Sequence, residues 1–241
     1  MIKIFSPSYK RAGKIDIAKW LPGVVLCVHE FEVKEYRKHH QNELMRIPDS
    51  LRGNMAKVRN FILEKSKCDV CVMMDDDVQF IGYYENGVQV KMAPGRLIEK
   101  ITEWYHQAAA LNTVLFGVNL QTDYKFYKEL SPITFKNPIL GTFSCIIKKG
   151  NNIRYDERLS LNEDYDYFLQ VMRKYHKVLR WNKFHYQAGH LKEPGGCGAY
   201  RSLKREKEQA EIMIKKWGKA VVRYDFKRST NPIVNVPIKG I

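Results

Sequence analysis

A chain of 241 residues that is 44% hydrophobic and 12% aromatic can bury a sizeable core, which excludes disorder as its main state. Lys and Arg outnumber Asp and Glu by 41 to 26, a formal charge of +15, so the partner to expect is polyanionic: nucleic acid, an anionic membrane surface or a phosphorylated substrate. No signal-peptide core follows Met1 and no apolar run nears the roughly 18 residues of a membrane span, so membrane insertion is not expected and a cytoplasmic setting is.

In chain order, Ile2–Ser6 reads as a first strand broken by Pro7-Ser8, Ile15–Trp20 as a short helix, and Val24–Val28 as a buried strand. The stretch from His29 to Ser50 is polar and basic, with a helix near Glu32–His40. Met55–Lys65 reads as a helix feeding the apolar strand Val70–Met74. Gly82–Lys91 forms a hairpin signalled by Asn86-Gly87. Then come a helix over Arg96–Leu111, a strand over Val114–Asn119, an irregular aromatic stretch to Pro138, and a strand over Gly141–Lys148. Leu161–Tyr175 and Arg201–Trp217 are helical, Lys183–Ala188 is a strand between them, and the tail is extended. Alternating strands and helices without a linker or repeat predict an α/β fold with a mixed sheet.

Five Cys are an odd number without disulfide-like density and suit a reducing compartment. Cys68 and Cys71 bracket a strand, and no second Cys pair or nearby His completes a zinc site; core thiols are the better reading.

The apolar strand ends in Asp75-Asp76-Asp77. Side chains at i and i+2 leave a strand on one side, so Asp75 and Asp77 converge while Asp76 points elsewhere. Converging carboxylates repel, and a hard divalent cation is the usual remedy. The helix before them presents Met55, Ala56, Val58, Ile62 and Leu63 as one apolar arc with Arg59 in its middle, where a guanidinium must snorkel out or meet an anion; a donor phosphate and a core carboxylate are the two candidates. Glu163, Asp164 and Asp166 occupy the first turn of a later helix, where its dipole favours them. Asp164 shares a face with Phe168, Val171 and Tyr175, whereas Glu163 and Asp166 project away, so Asp164 suits a general base.

These pieces resemble glycosyltransferases of the GT-A fold, and more narrowly the TET-associated glycosyltransferases of bacteriophages, which decorate hydroxymethylated pyrimidines in DNA. The resemblance rests on Phe5 to Arg11, Gly53 to Asn60, Asp75-Asp76-Asp77, Asn162-Glu163-Asp164 and the loop at His190. It implies a Rossmann-like domain over residues 1–200 with a mixed, mostly parallel sheet flanked by helices, residues 201–241 packing on it as a basic helix and tail. It places Pro7, Ser8, Tyr9 and Arg11 around a uridine, Arg59, Asp75 and Asp76 at the donor, and Asp77 with His190 on Mn²⁺ or Mg²⁺. Asp164 matches the catalytic base of inverting members, retaining enzymes also carry acids there, and Gly141, Thr142 and Glu163 lie on the acceptor side. Three consecutive aspartates leave open which pair is the D-x-D. Gly195-Gly196-Cys197-Gly198 supplies a flexible lid over a diphosphate.

Basic clusters at Lys34–His40, Arg173–Lys183 and Lys204–Arg228 fit phosphate-backbone binding, each also readable as a solvated face. Tyr83, Tyr84, Trp104, Tyr124, Phe126, Tyr127 and Trp181 offer aromatics for an unstacked base, core packing being the alternative for most. The expected reaction moves a sugar from a UDP-type donor to a hydroxymethylpyrimidine in DNA. A glycan or lipid-linked acceptor, and a non-catalytic nucleic-acid-binding protein, are the rivals.

Overall fold

The computed structural model describes residues 1–120, 131–189 and 195–236. Strand β1 (Ile2–Pro7) ends at a proline that has no N–H to continue the ladder. Helix α1 (Ile17–Trp20) leads to β2 (Val25–His29), buried at every position, and α2 (Val33–His39) leads to β3 (Leu44–Ile47). β3 lies inside the stretch read as polar and basic; its exposed Arg46 interrupts the apolar signal, as an edge strand allows.

Asn54 caps α3 (Met55–Lys65) by accepting from the Lys57 amide at 3.1 Å, and the helix runs into β4 (Val70–Met74), buried throughout. The hairpin β5 (Val78–Glu85) to β6 (Val88–Lys91) turns at Asn86 and Gly87, whose φ values of 51° and 78° are what a two-residue hairpin turn requires. Helix α4 (Pro94–Ala110) starts at the proline, two residues before the expected Arg96, because a fixed φ suits the first helical position.

The chain continues through β7 (Leu115–Asn119), β8 (Ile133–Thr134), β9 (Phe143–Ile147), α5 (Glu163–Tyr175) and β10 (Leu179–Ala188). Ser202 caps α6 (Leu203–Trp217), and β11 (Val222–Arg223) pairs with β12 (Ile233–Val234) in the tail. No helix among the described residues is long and apolar enough to cross a membrane.

Among the described residues, the main sheet runs β3-β2-β1-β4-β9-β7-β10-β5-β6, with β8 against β10. β3, β2, β1 and β4 are mutually parallel; β9 is inserted antiparallel between β4 and β7, and β10 runs parallel to β7. The sheet is mixed, with most central strands running one way. Phe5 pairs with Met73, so β1 and β4 end side by side, and β2 runs two residues past Cys27, the partner of Pro7, towards the same edge. Phe143 pairs with Met74, which brings Gly141-Thr142 to the same edge. A crevice at the carboxyl ends of such strands is where open α/β sheets bind ligands.

Helices cover both faces. Trp104 of α4 stacks on Trp181 of β10 with centroids 5.0 Å apart, both buried in the core, so neither is available to an unstacked base. Tyr124, Phe126 and Tyr127 lie outside the described residues. α6 is clasped to α5 by Asp166, whose carboxylate accepts from Trp217 Nε1 at 2.8 Å and from Lys216 Nζ at 2.9 Å. Asp166 is fully buried rather than turned to solvent, because α6 covers that side of α5 and supplies the donors a buried carboxylate needs.

Candidate active site

A cavity of about 560 Å³ opens at the carboxyl edge of β1 and β4. Pro7, Ser8, Tyr9 and Arg11 of the loop after β1, Asp75 to Asp77 after β4, Arg59 of α3, Thr142, and Glu163 and Asp164 of α5 all line it. The local reason is strand geometry: parallel neighbours in register deliver their following loops to one side of the sheet.

Asp76 does not point away from the cleft. It is buried beneath the β1 loop, where its carboxylate accepts from Ser8 Oγ at 2.6 Å and Arg11 Nη1 at 2.6 Å. The chain leaves strand geometry at Asp75, so the alternation that holds along β4 no longer governs the next two residues. Burial pushes the Asp76 carboxyl up to about 6, against the pull of Arg11 and the Ser8 bond. Tyr36 ties the loop further, its hydroxyl 2.8 Å from Ser8 Oγ and accepting from the Arg11 amide at 3.2 Å.

Arg59 finds its anion inside the protein. Its Nε donates to Glu163 Oε1 at 3.0 Å and its Nη2 to Asp75 Oδ1 at 3.3 Å, with the guanidinium 3% exposed. Glu163 therefore turns inward rather than away from the core: a buried arginine 104 residues earlier in the chain attracts it. Burial, reinforced by Asp164, pushes the Glu163 carboxyl up to about 8 against the pull of Arg59. Asp164 is half-buried; Oδ2 accepts from the Gly141 amide at 3.1 Å and Oδ1 from the Tyr165 amide at 2.8 Å. Burial raises its pKa, with Arg59 and the two amides opposing. Gly141 is squeezed against Arg59: a Cβ there would stand 2.6 Å from the guanidinium carbon. Gly141 itself touches the cavity only through these neighbours, whereas Thr142 lines it and hydrogen-bonds Tyr186.

The sequence profile described as TET-Associated Glycosyltransferase matches residues 2–196, a span that holds almost all of these side chains. The chain belongs to the TET-associated glycosyltransferase family. It is a glycosyltransferase of GT-A type. No curated protein matches it. Similar folds include a mannosyltransferase from Pyrobaculum calidifontis solved with GDP-Man and Mn²⁺, with 12% identity, TM-score 0.58, and 91% of this chain against 63% of that one covered. Another is the glucosyl-3-phosphoglycerate synthase of Mycobacterium tuberculosis, solved with Mn²⁺, UDP-glucose and phosphoglyceric acid. There the identity is 9%, the TM-score 0.53, and the coverage 99% of this chain and 88% of that one.

In this glycosyltransferase, two features of the cavity had no separate signal in the sequence, and a third departs from its reading there. His29 at the end of β2 lies edge-on to Tyr9 at 5.5 Å, and Phe31 stands 6.3 Å from both, leaving an aromatic shelf at the rim. Cys197, Tyr200, Arg201 and Asn231, from beyond the span matched by the family, line the cavity as well. The turn at Gly195-Gly196 is not a free lid: the Gly196 amide donates to the Tyr9 carbonyl at 2.8 Å, and a Cβ at Gly195 would strike that backbone. For the inward Glu163 the cue was Arg59, since a cation on an apolar helix face demands a distant acid.

His190 lies outside the described residues. Among those described, no three His, Cys, Asp or Glu are grouped to hold a metal. The cavity nevertheless suits a cation, since five carboxylates line it against the guanidiniums of Arg11, Arg59 and Arg201.

Proposed function

We propose that the enzyme transfers a sugar from a UDP-type nucleotide-sugar to the hydroxyl of a hydroxymethylpyrimidine in DNA. The observation that carries this is the convergence of Asp75, Asp77, Arg59 and Asp164 on one cavity beside the Tyr9 shelf. Tyr9 with His29 and Phe31 suits the flat face of a nucleobase, and Ser8 and Arg11, held by Asp76, shape the loop around it. Arg59 holds Asp75 towards the donor, with Asp76 supporting from beneath.

Asp77 and His190 are assigned to Mn²⁺ or Mg²⁺, which would neutralise the diphosphate leaving group. A carboxylate oxygen suits either ion, whereas an imidazole ligand favours the transition metal Mn²⁺ over Mg²⁺. Gly189, the residue before His190, donates its amide to the Asp77 carbonyl at 3.0 Å, which supports the pairing.

Asp164 takes the proton of the acceptor hydroxyl as the hydroxyl oxygen bonds to the anomeric carbon and the bond from that carbon to the diphosphate oxygen breaks. This is a single displacement with inversion. The raised pKa of Asp164 strengthens it as a base. Gly141, Thr142 and Glu163 flank it on the acceptor side, Glu163 through its bond to Arg59. A cytoplasmic setting accords with the free cysteines at 27, 68, 71, 145 and 197.

The test is a panel of UDP-sugars with Mn²⁺ and DNA bearing hydroxymethylcytosine, read as the mass of released nucleosides. A hexose or pentose increment on the modified nucleoside is expected. Transfer only to glycan or lipid-linked acceptors would replace the DNA reading.

A further inference from the structure

The match to the family ends at residue 196, yet the chain beyond it builds part of the cavity wall through Cys197, Tyr200, Arg201 and Asn231. That same segment is strongly basic: residues 201–228 hold ten Lys and Arg against four Asp and Glu. At the start of α6 it forms one side of a second, open groove of about 540 Å³, where Arg158, Lys204 and Arg205 face a single acid, Glu208. The groove and the cavity adjoin at Asn54, which lines both.

The groove is built rather than incidental. Arg205 is fixed by three bonds: Nε to Ser160 Oγ at 2.9 Å, Nη2 to the Gly53 carbonyl at 2.7 Å and Nη1 to the Tyr200 carbonyl at 3.4 Å. Gly53 and Tyr200 themselves line the cavity, so this arginine spans the wall between the two spaces. Lys204 is exposed and makes no ion pair among the described residues, and Arg158 keeps its side chain 69% exposed while gripping Asp156. Lys204 and Arg205, neither of which makes an ion pair among the described residues, both line this groove.

A base drawn out of its stack stays covalently tied to its strand, so the phosphates flanking it must lie at the rim of the pocket that receives it. We propose that the groove along α6 carries the phosphate backbone of the acceptor strand, with the target nucleotide entering the cavity past Asn54. This rests on the DNA-acceptor reading above. Lys204 and Arg158 are the backbone contacts, and they set the preference for a polymeric acceptor over a free nucleoside.

The test compares two charge-altered pairs in the full chain: Lys204→Glu with Arg158→Ala in the groove, and Lys207→Glu with Lys219→Ala outside it. Affinity for hydroxymethylated DNA is measured across salt concentrations, and kcat/KM for DNA is set against kcat/KM for the free hydroxymethylated nucleoside. The groove pair is expected to lower the DNA-to-nucleoside ratio at least tenfold and to make the salt slope shallower by about 2, as loss of two phosphate contacts requires. The outer pair should change the ratio less than about threefold. If Arg158→Ala impairs folding, Lys204→Glu alone, at an exposed position, should reduce the slope by about 1. Equal effects of the two pairs, or a groove pair that behaves like the parent while the parent still glycosylates DNA, overturn the groove and leave the acceptor reading standing. A parent that glycosylates neither DNA nor nucleoside removes the acceptor reading itself.

Discussion

Arg59 is the residue on which the cavity turns, because one guanidinium aligns Glu163 and Asp75 from two different elements. Gly141 leaves it the room. In Gly141→Ala the new methyl meets the guanidinium, so Arg59 must abandon one carboxylate; turnover should fall at least tenfold with the circular dichroism spectrum retained. As the proposed base Asp164 must be ionised, so its raised pKa should move the acidic limb of kcat/KM above the ordinary aspartate range. Asp164→Asn should lower turnover by about 10²- to 10⁴-fold while donor affinity, measured by calorimetry, persists; unchanged turnover would exclude it as the base. Asp76 acts on stability instead. Its carboxyl titrates near 3.8 unfolded and near 6 folded, so its contribution is complete below the first value and is lost as pH rises through the second. Denaturant titrations from pH 4 to pH 7 should show a decline on the order of 2 kcal/mol from this group, and Asp76→Asn should flatten it.

At the scale of elements, α3 and β4 were legible to the residue, because each is a run whose period or unbroken apolarity admits one reading. The inward turn of Glu163, and of Asp166 on the same helix, was not. Helix periodicity reports which face is apolar, and a buried acid appears on the wrong side until its partner is known. The partners, Arg59 and the pair Lys216 and Trp217, lie at separations that no local pattern spans. β10 was shortened for a related reason, since Arg180 and Asn182 interrupt its apolar pattern although both bond backbone carbonyls of the covering segment. The Asp166 clasp yields a prediction for the elements it joins. Asp166→Ala strands a tryptophan N–H and removes one of two acids from Lys216, whose other partner is Asp156. A loss of about 2 kcal/mol is expected from urea midpoints, and limited proteolysis should then cut first at the α6 end of the chain.

Over the whole molecule, two electrostatic systems of opposite sign are kept apart. The cavity concentrates carboxylates around the assigned cation, whereas the net charge of +15 is spread over the helices outside it. Under the proposed function, attraction to a polyanion would depend on the outer charge and salt, and turnover on a cation held in the cavity. Chelation separates them. EDTA should abolish sugar transfer while leaving DNA retention, and its steep fall between about 50 and 200 mM salt, nearly as before. Added Mn²⁺ should restore transfer without tightening DNA binding appreciably. The same separation holds for Asp77→Asn, which should lose turnover and Mn²⁺-dependent donor binding together yet bind DNA like the parent. If chelation instead released DNA, the cation would be part of the acceptor interface, and the division between an acidic cavity and a basic exterior would not describe how the enzyme holds its two substrates.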